Sequence, residues 1–299
     1  MFTGSLVALV TPMHVDGSID LAAWDRLLDW HCGAGTSGVV VGGSTGESVA
    51  LEDDELLELL RRARARLKPG IALVAGVGGS ATRQVARRAA ALGGLGLDAL
   101  LVVTPAYNRP TQEGLYQHFK AVAATAAAPL LLYNVPSRTA CDLLPATVAR
   151  LAELPGVIGL KEAVGKLERF SELRARLPQG FCLLSGDDPS ARESVRLGAQ
   201  GVISITANVV PGAMARMLAA ALAGEHALAA ELDAPLAGLH TDLCIESNPI
   251  PVKWALAELG RIEAGIRLPL TWLSESQRPR VRAALQSAQA VALQEARSA

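Results

Sequence analysis

The chain has 299 residues, half of them apolar and 19% charged, with a formal net charge of −1. That composition excludes a disordered or fibrous chain. The near-neutral charge argues against a nucleic-acid or anionic-membrane surface, both of which need clustered positive charge. No apolar run reaches the ~18 residues of a membrane span. Met1–Ser5 lacks the basic and apolar regions of a secretion signal, so a cytoplasmic location is expected. Eight short apolar runs recur: 5–10, 38–41, 71–75, 99–103, 129–133, 157–161, 181–185 and 201–205. Continuous apolar runs of this length are the pattern of parallel strands covered on both faces.

The segments between the runs show helical periodicity. Residues 20–32 place Leu21, Trp24, Leu27, Leu28 and His31 on one face, with Asp20 as N-cap and Gly33 as stop. Residues 51–67 open on Glu52-Asp53-Asp54-Glu55 and close Arg-rich, as the helix dipole favours. After the eighth run no strand signal remains. Residues 211–223, 225–239, 251–259 and a segment starting near Ser274, with Ser274 and Gln277 at capping-box spacing, read as helices. Eight strands alternating with helices predict a (β/α)8 (TIM) barrel over residues 1–206, with a C-terminal helical extension over 207–299 packed on it.

Four scattered cysteines (Cys32, Cys141, Cys182 and Cys244) read as reduced core residues. No His or Cys spacing resembles a zinc site, so no metal is expected. Barrel chemistry sits where the strands end. Of 28 basic side chains only five are lysines, and Lys161 alone closes an apolar strand run, Val157-Ile158-Gly159-Leu160. An amine there is partly stripped of water, which favours the neutral nucleophile. The competing reading pairs Lys161 with Glu162, but adjacent strand residues point to opposite faces. Lys68, Lys120, Lys166 and Lys253 lack this setting. Two of the three tyrosines, Tyr107 and Tyr133, also fall at strand ends, where a phenol near an amine carries protons or packs the rim. Gly42-Gly43-Ser44-Thr45-Gly46-Glu47-Ser48 offers hydroxyls and amides to an anion, and Arg138 offers a bidentate carboxylate clamp. Asp187-Asp188 reads as a helix N-cap rather than a metal pair.

Five stretches then fall in order along the chain: Val7-Ala8-Leu9-Val10-Thr11-Pro12, Gly43-Ser44-Thr45-Gly46-Glu47, Tyr133-Asn134-Val135-Pro136-Ser137-Arg138-Thr139, Gly159-Leu160-Lys161-Glu162 and Leu184-Ser185-Gly186-Asp187. With Asn248-Pro249-Ile250-Pro251-Val252-Lys253-Trp254, the set closely resembles the dihydrodipicolinate synthase family over essentially the whole chain. The resemblance implies a class I aldolase-type lyase of lysine and diaminopimelate biosynthesis, a homotetramer built as a dimer of dimers, with no cofactor. Lys161 would form an imine with pyruvate, and the resulting enamine would attack aspartate semialdehyde. Tyr133, the Ser44 hydroxyl and Tyr107 reaching from a neighbouring subunit would form a proton relay. Thr45 and the Ile203 backbone would hold the pyruvate carboxylate. Arg138 would take the semialdehyde carboxylate, with Gly186 lining the pocket.

Other Schiff-base pyruvate aldolases, such as sialic-acid lyase or 2-keto-3-deoxy sugar acid aldolase, form the alternative; Arg138 in its motif favours the synthase. A phosphate-binding isomerase and a catalytically dead binding barrel are the more distant readings. Two departures from the family stand out. Position 44 is Ser rather than the usual Thr, and Ala106 replaces an aromatic residue before Tyr107. Lysine-inhibited members bind lysine at a subunit interface. Ser48 fits their pattern, but Asp53, Leu56, Ser80, Gln84 and Ala106 do not. The resemblance therefore implies weak or absent inhibition by lysine.

Overall fold

The computed structural model describes residues 2–298, with side chains to Ala288. Residues 1 and 299, the outer ends of the two expected regions, lie outside the described residues. Eight parallel strands close into a barrel in simple chain order: β1 (Gly4–Ala8), β2 (Gly38–Val41), β3 (Ala72–Val77), β4 (Ala99–Val103), β5 (Leu130–Asn134), β6 (Val157–Glu162), β7 (Cys182–Ser185) and β8 (Gly201–Ser204). β8 returns to β1 in the register Leu6 opposite Ile203. Each of the eight apolar runs thus forms a strand, with ends that coincide or shift by at most two residues.

Strand alternation divides the core into two layers. Leu6, Val40, Val74, Leu101, Leu131, Leu184 and Ile203 fill the barrel interior. Val7, Val39, Leu73, Leu100, Leu132, Leu160 and Leu183 face outward and join the larger cluster under the helices. Both faces are dry, so the strands carry no polar alternation.

The helix Leu21–Gly33 begins on Asp20, whose carboxylate accepts the Ala23 amide at 2.8 Å. Its stop differs from the expectation: Gly33 is the last helical residue, and the left-handed turn falls on Gly35 at φ 81°. Asp53–Arg66 carries a Glu52/Glu55 capping box. Pro211–Leu222 follows β8 and packs against β1. The expected helix 225–239 is broken into His226–Asp233, a 3-10 turn Ala234–Leu236 and Ala237–Asp242. Pro235 has no amide hydrogen to continue the ladder. Ile250–Glu258 is largely buried, and Arg278–Ser298 is the last helix. Ser274 does not cap it; its hydroxyl instead bonds the Glu246 carboxylate. The cysteines are free, but only Cys141 and Cys182 are buried, and Cys244 is exposed rather than in the core. Among the described residues, no helix is long and apolar enough to cross a membrane.

Candidate active site

The β5–β6 register places Lys161 beside Tyr133 at the ends of adjacent strands. Leu160 points into the outer layer, so Lys161 points into the barrel. It is 5% exposed, and its Nζ lies 4.3 Å from the Tyr133 ring centroid. Among the described residues it has no ion-pair partner; an aromatic face rather than a carboxylate receives the amine. Gly186, which follows β7, makes this possible. A Cβ there would stand 2.7 Å from Lys161 Cε and 2.8 Å from Ala163 Cβ.

Glu162 points the other way and is fully buried. Its two oxygens accept from Asn134 Nδ2 at 3.1 Å, and one also accepts the Val164 amide at 3.0 Å. Burial pushes its carboxyl from the ordinary 4.5 up to about 7, against the opposing pull of the Asn134 hydrogen bonds. Asn134 also donates to Asp142 at 2.8 Å, and Arg169 pairs with Asp142 at 2.7 Å. The Lys161–Glu162 salt bridge is therefore excluded by the pleat.

After β2 the chain forms a 3-10 turn, Ser44–Gly46. Thr45 is buried, and its Oγ1 accepts from Asn248 Nδ2 at 2.9 Å, which leaves the threonine hydroxyl proton free to donate. The Asn248 carbonyl accepts from the Arg138 guanidinium at 3.1 Å. One residue thus joins the Ser44–Thr45 turn to Arg138, which is exposed on the short helix Pro136–Thr139. Ile203 pairs with Leu6 on one side, while the β7–β8 register stops one residue lower, at Ser185 and Val202.

The turn ends at Glu47, a non-glycine residue in the left-handed region at φ 57°. Its carboxylate receives Lys253 Nζ at 2.5 Å and the Arg267 amide at 3.0 Å. Lys253 lies in the helix Ile250–Glu258 and is 0% exposed, so it is buried even more deeply than Lys161. Burial pulls its amine below the usual lysine range, and the Glu47 charge opposes that. The expectation that only Lys161 is dehydrated was wrong. What separates the two lysines is the carboxylate beside one of them. A single charge inside the apolar run Ile250–Leu256 was a sequence signal that Lys253 is buried, but not of its partner.

Tyr107 stands apart from the rest. It is 94% exposed, sits at φ 74°, and is held outward by a turn in which Ser80 Oγ donates to the Ala106 carbonyl at 2.8 Å. Asp187 and Asp188 do not cap a helix as a pair. Asp187 accepts from Ser190, whereas Asp188 accepts the Ile205 and Thr206 amides, both at 2.9 Å, and holds the β8 end. A cavity of about 590 Å³ opens beside the mouth; its lining includes Ser44, Arg138, Thr139 and Asn248 as well as Ser48, Asp53, Leu56, Ser80 and Ala106. In that lining the Asp53 carboxylate pairs with Arg88 at 2.9 Å.

The profile of the Dihydrodipicolinate synthetase family matches residues 1–288. A 4-hydroxy-tetrahydrodipicolinate synthase of Methylococcus capsulatus is 52% identical over 288 residues, covering 96% of this chain and 99% of the relative. The crystal structure of the chloride-inhibited dihydrodipicolinate synthase of Acinetobacter baumannii, complexed with pyruvate, superposes with a TM-score of 0.94 at 45% identity, over 97% of this chain and 99% of that one. A dihydrodipicolinate synthase variant described as monomeric gives a TM-score of 0.93 at 36% identity, over 96% and 97%. Matched along its length in both sequence and backbone, this chain belongs to the dihydrodipicolinate synthetase family.

Proposed function

We propose that the chain is a class I aldolase-type lyase that condenses pyruvate with aspartate semialdehyde to 4-hydroxy-tetrahydrodipicolinate, with Lys161 as the nucleophile. The observation that carries this is a buried amine at a barrel mouth, stacked on a phenol ring and lacking a carboxylate partner among the described residues. Such an amine adds to the keto carbon of pyruvate, and loss of water leaves an imine. The imine draws electrons from the methyl group, which gives up a proton to form an enamine. The enamine carbon bonds to the aldehyde carbon of the semialdehyde, whose oxygen takes up a proton. The semialdehyde's own amine then adds to the imine carbon, expels Lys161 and closes the ring. The covalent imine serves in place of a cofactor.

In this reading Tyr133 gives and takes the protons, in relay with the Ser44 hydroxyl and Tyr107 of the partner subunit. Thr45 and the backbone at Ile203 hold the pyruvate carboxylate. Arg138 receives the carboxylate of the semialdehyde, and Gly186 lines the path between them. The outward set of Tyr107 supports its use by another copy of the chain, and we take the assembly to be a homotetramer built as a dimer of dimers. A cytoplasmic enzyme of lysine and diaminopimelate biosynthesis fits both substrates.

Borohydride reduction in the presence of pyruvate, followed by peptide mass mapping, tests the assignment. The expected result is one stable adduct on Lys161 that disappears in Lys161→Ala. Labelling of Lys253, the other buried lysine, would overturn it. Turnover with aspartate semialdehyde, and none with sialic acid or 2-keto-3-deoxy sugar acids, is expected in the same preparation.

A further inference from the structure

The Glu47–Lys253 pair takes no part in the mechanism above, yet both side chains are almost wholly buried. A buried ion pair contributes little net stability, because desolvation offsets its Coulomb attraction. It is, however, directional. Glu47 closes the 3-10 turn that carries Ser44 and Thr45, and it does so at φ 57°, a conformation that costs a residue with a side chain about 1 kcal/mol or more. Its carboxylate is held at both oxygens, by Lys253 and by the Arg267 amide. Lys253 belongs to the helix whose lead-in residue, Asn248, donates to Thr45 Oγ1. The turn is therefore fastened twice to one short segment, once at its middle and once at its end.

We propose that Glu47 and Lys253 are positioning residues that set the Ser44–Thr45 turn at the height where Thr45 meets the pyruvate carboxylate. The inference rests on the reading of Thr45 given above. Both side chains are taken up by their own pair and act through the turn. A turn released from the pair loosens both the Thr45 contact with the carboxylate and the Ser44 hydroxyl of the relay, so KM for pyruvate rises and kcat falls, while the KM for the semialdehyde, received by Arg138, holds.

The test measures both KM values, kcat, Tm and borohydride trapping. It uses Glu47→Gln, which keeps the shape but lacks the second acceptor oxygen, and the double variant Glu47→Gln/Lys253→Met, which removes both charges at similar volume and so spares the fold a lone buried charge. The expected result in both is a KM for pyruvate raised about tenfold, the loss of one charge-assisted hydrogen bond. kcat should fall as Ser44 shifts with the turn, but the KM for the semialdehyde should stay within about twofold, with trapping still on Lys161 at saturating pyruvate. A folded variant with unchanged pyruvate KM overturns the proposal. So does an equal fall in every kinetic constant with Tm, or failure of both variants to fold, since the pair would then serve the whole structure and not the turn. Thr45→Val, run in parallel, separates the two readings. If it raises the pyruvate KM and the Glu47 variants do not, only the positioning role fails; if it has no effect, the Thr45 reading fails and the positioning role with it.

Discussion

Two lysines are buried in this chain, and their different surroundings assign them different work. Lys253 meets a carboxylate and is held in a fixed pair, its amine occupied by that contact. Lys161 meets an aromatic face and a glycine, a setting that leaves its lone pair accessible once the proton departs. Gly186 is the residue that keeps this arrangement open. Its φ is not in the left-handed region, so the requirement is for space and not for backbone freedom. An added methyl would overlap Lys161 Cε and Ala163 Cβ; the lysine stem can yield, but the Ala163 methyl moves only with its backbone. Gly186→Ala should therefore fold with a lowered Tm while kcat falls about a hundredfold, the scale of a displacement of about 1 Å at a reacting centre. Steady-state kinetics beside a thermal melt checks this. Activity within threefold of the parent would mean that Lys161 tolerates the shift and that its seat is looser than the contacts suggest.

At the scale of elements, β5 and β6 act as one unit with two faces. Inward they present Tyr133 and Lys161; outward they present Asn134 and Glu162, tied to Asp142 and Arg169. The outward network fixes the strand register that brings the inward pair together, and it carries a pH signature. The folded chain holds the Glu162 proton more tightly than the unfolded chain, at about 7 against an ordinary 4.5. The stability this contributes is full below the unfolded value and is lost as pH rises through about 7, worth about 3 kcal/mol at most. Glu162→Gln stays neutral throughout. The difference in Tm between the two proteins should therefore move in favour of the variant from about pH 5 to about pH 8. Parallel profiles would show that Glu162 ionises in the fold at no cost. The strands themselves were legible because both of their faces are dry, so each reads as an unbroken apolar run. Lys161 was legible as the charge that ends such a run. The helix 225–239 was misjudged because its periodicity continues through Pro235 while its hydrogen bonding does not. Asn248, Lys253 and Arg267 stayed hidden for a different reason. Their partners Thr45 and Glu47 lie 203, 206 and 220 residues away, and no local pattern records a contact of that span.

Two of the molecule's most exposed apolar side chains sit on the mouth side, beside the cavity. Val49 is 98% exposed and Tyr107 is 94% exposed, both on loops that follow strands. Val49 and Ala106 of these loops line the cavity together with Ser44 and Arg138. A ligand there would thus share one continuous space with the groups assigned to substrate, and a basic amino acid is the natural question. Its ammonium would need a free carboxylate or an aromatic face, and its own carboxylate would need donors. The wall offers neither set in full. The Asp53 carboxylate is engaged by Arg88, which adds a positive charge to the same lining. Leu56 contributes only methyl groups, and Ala106 gives no ring. Ser80 already donates its hydroxyl to the Ala106 carbonyl, leaving Ser48 and the solvent-exposed Glu52 carboxylate as the main polar contacts. Desolvating an ammonium against this surface costs more than the few remaining contacts return. Lysine should therefore bind more weakly than about 1 mM and leave the initial rate nearly unchanged below that concentration. A titration of the coupled reaction at subsaturating pyruvate measures this directly. Half-inhibition at or below about 0.1 mM would mean that a neighbouring subunit supplies the missing partners across the Val49 and Tyr107 rim, so that the site is completed by assembly.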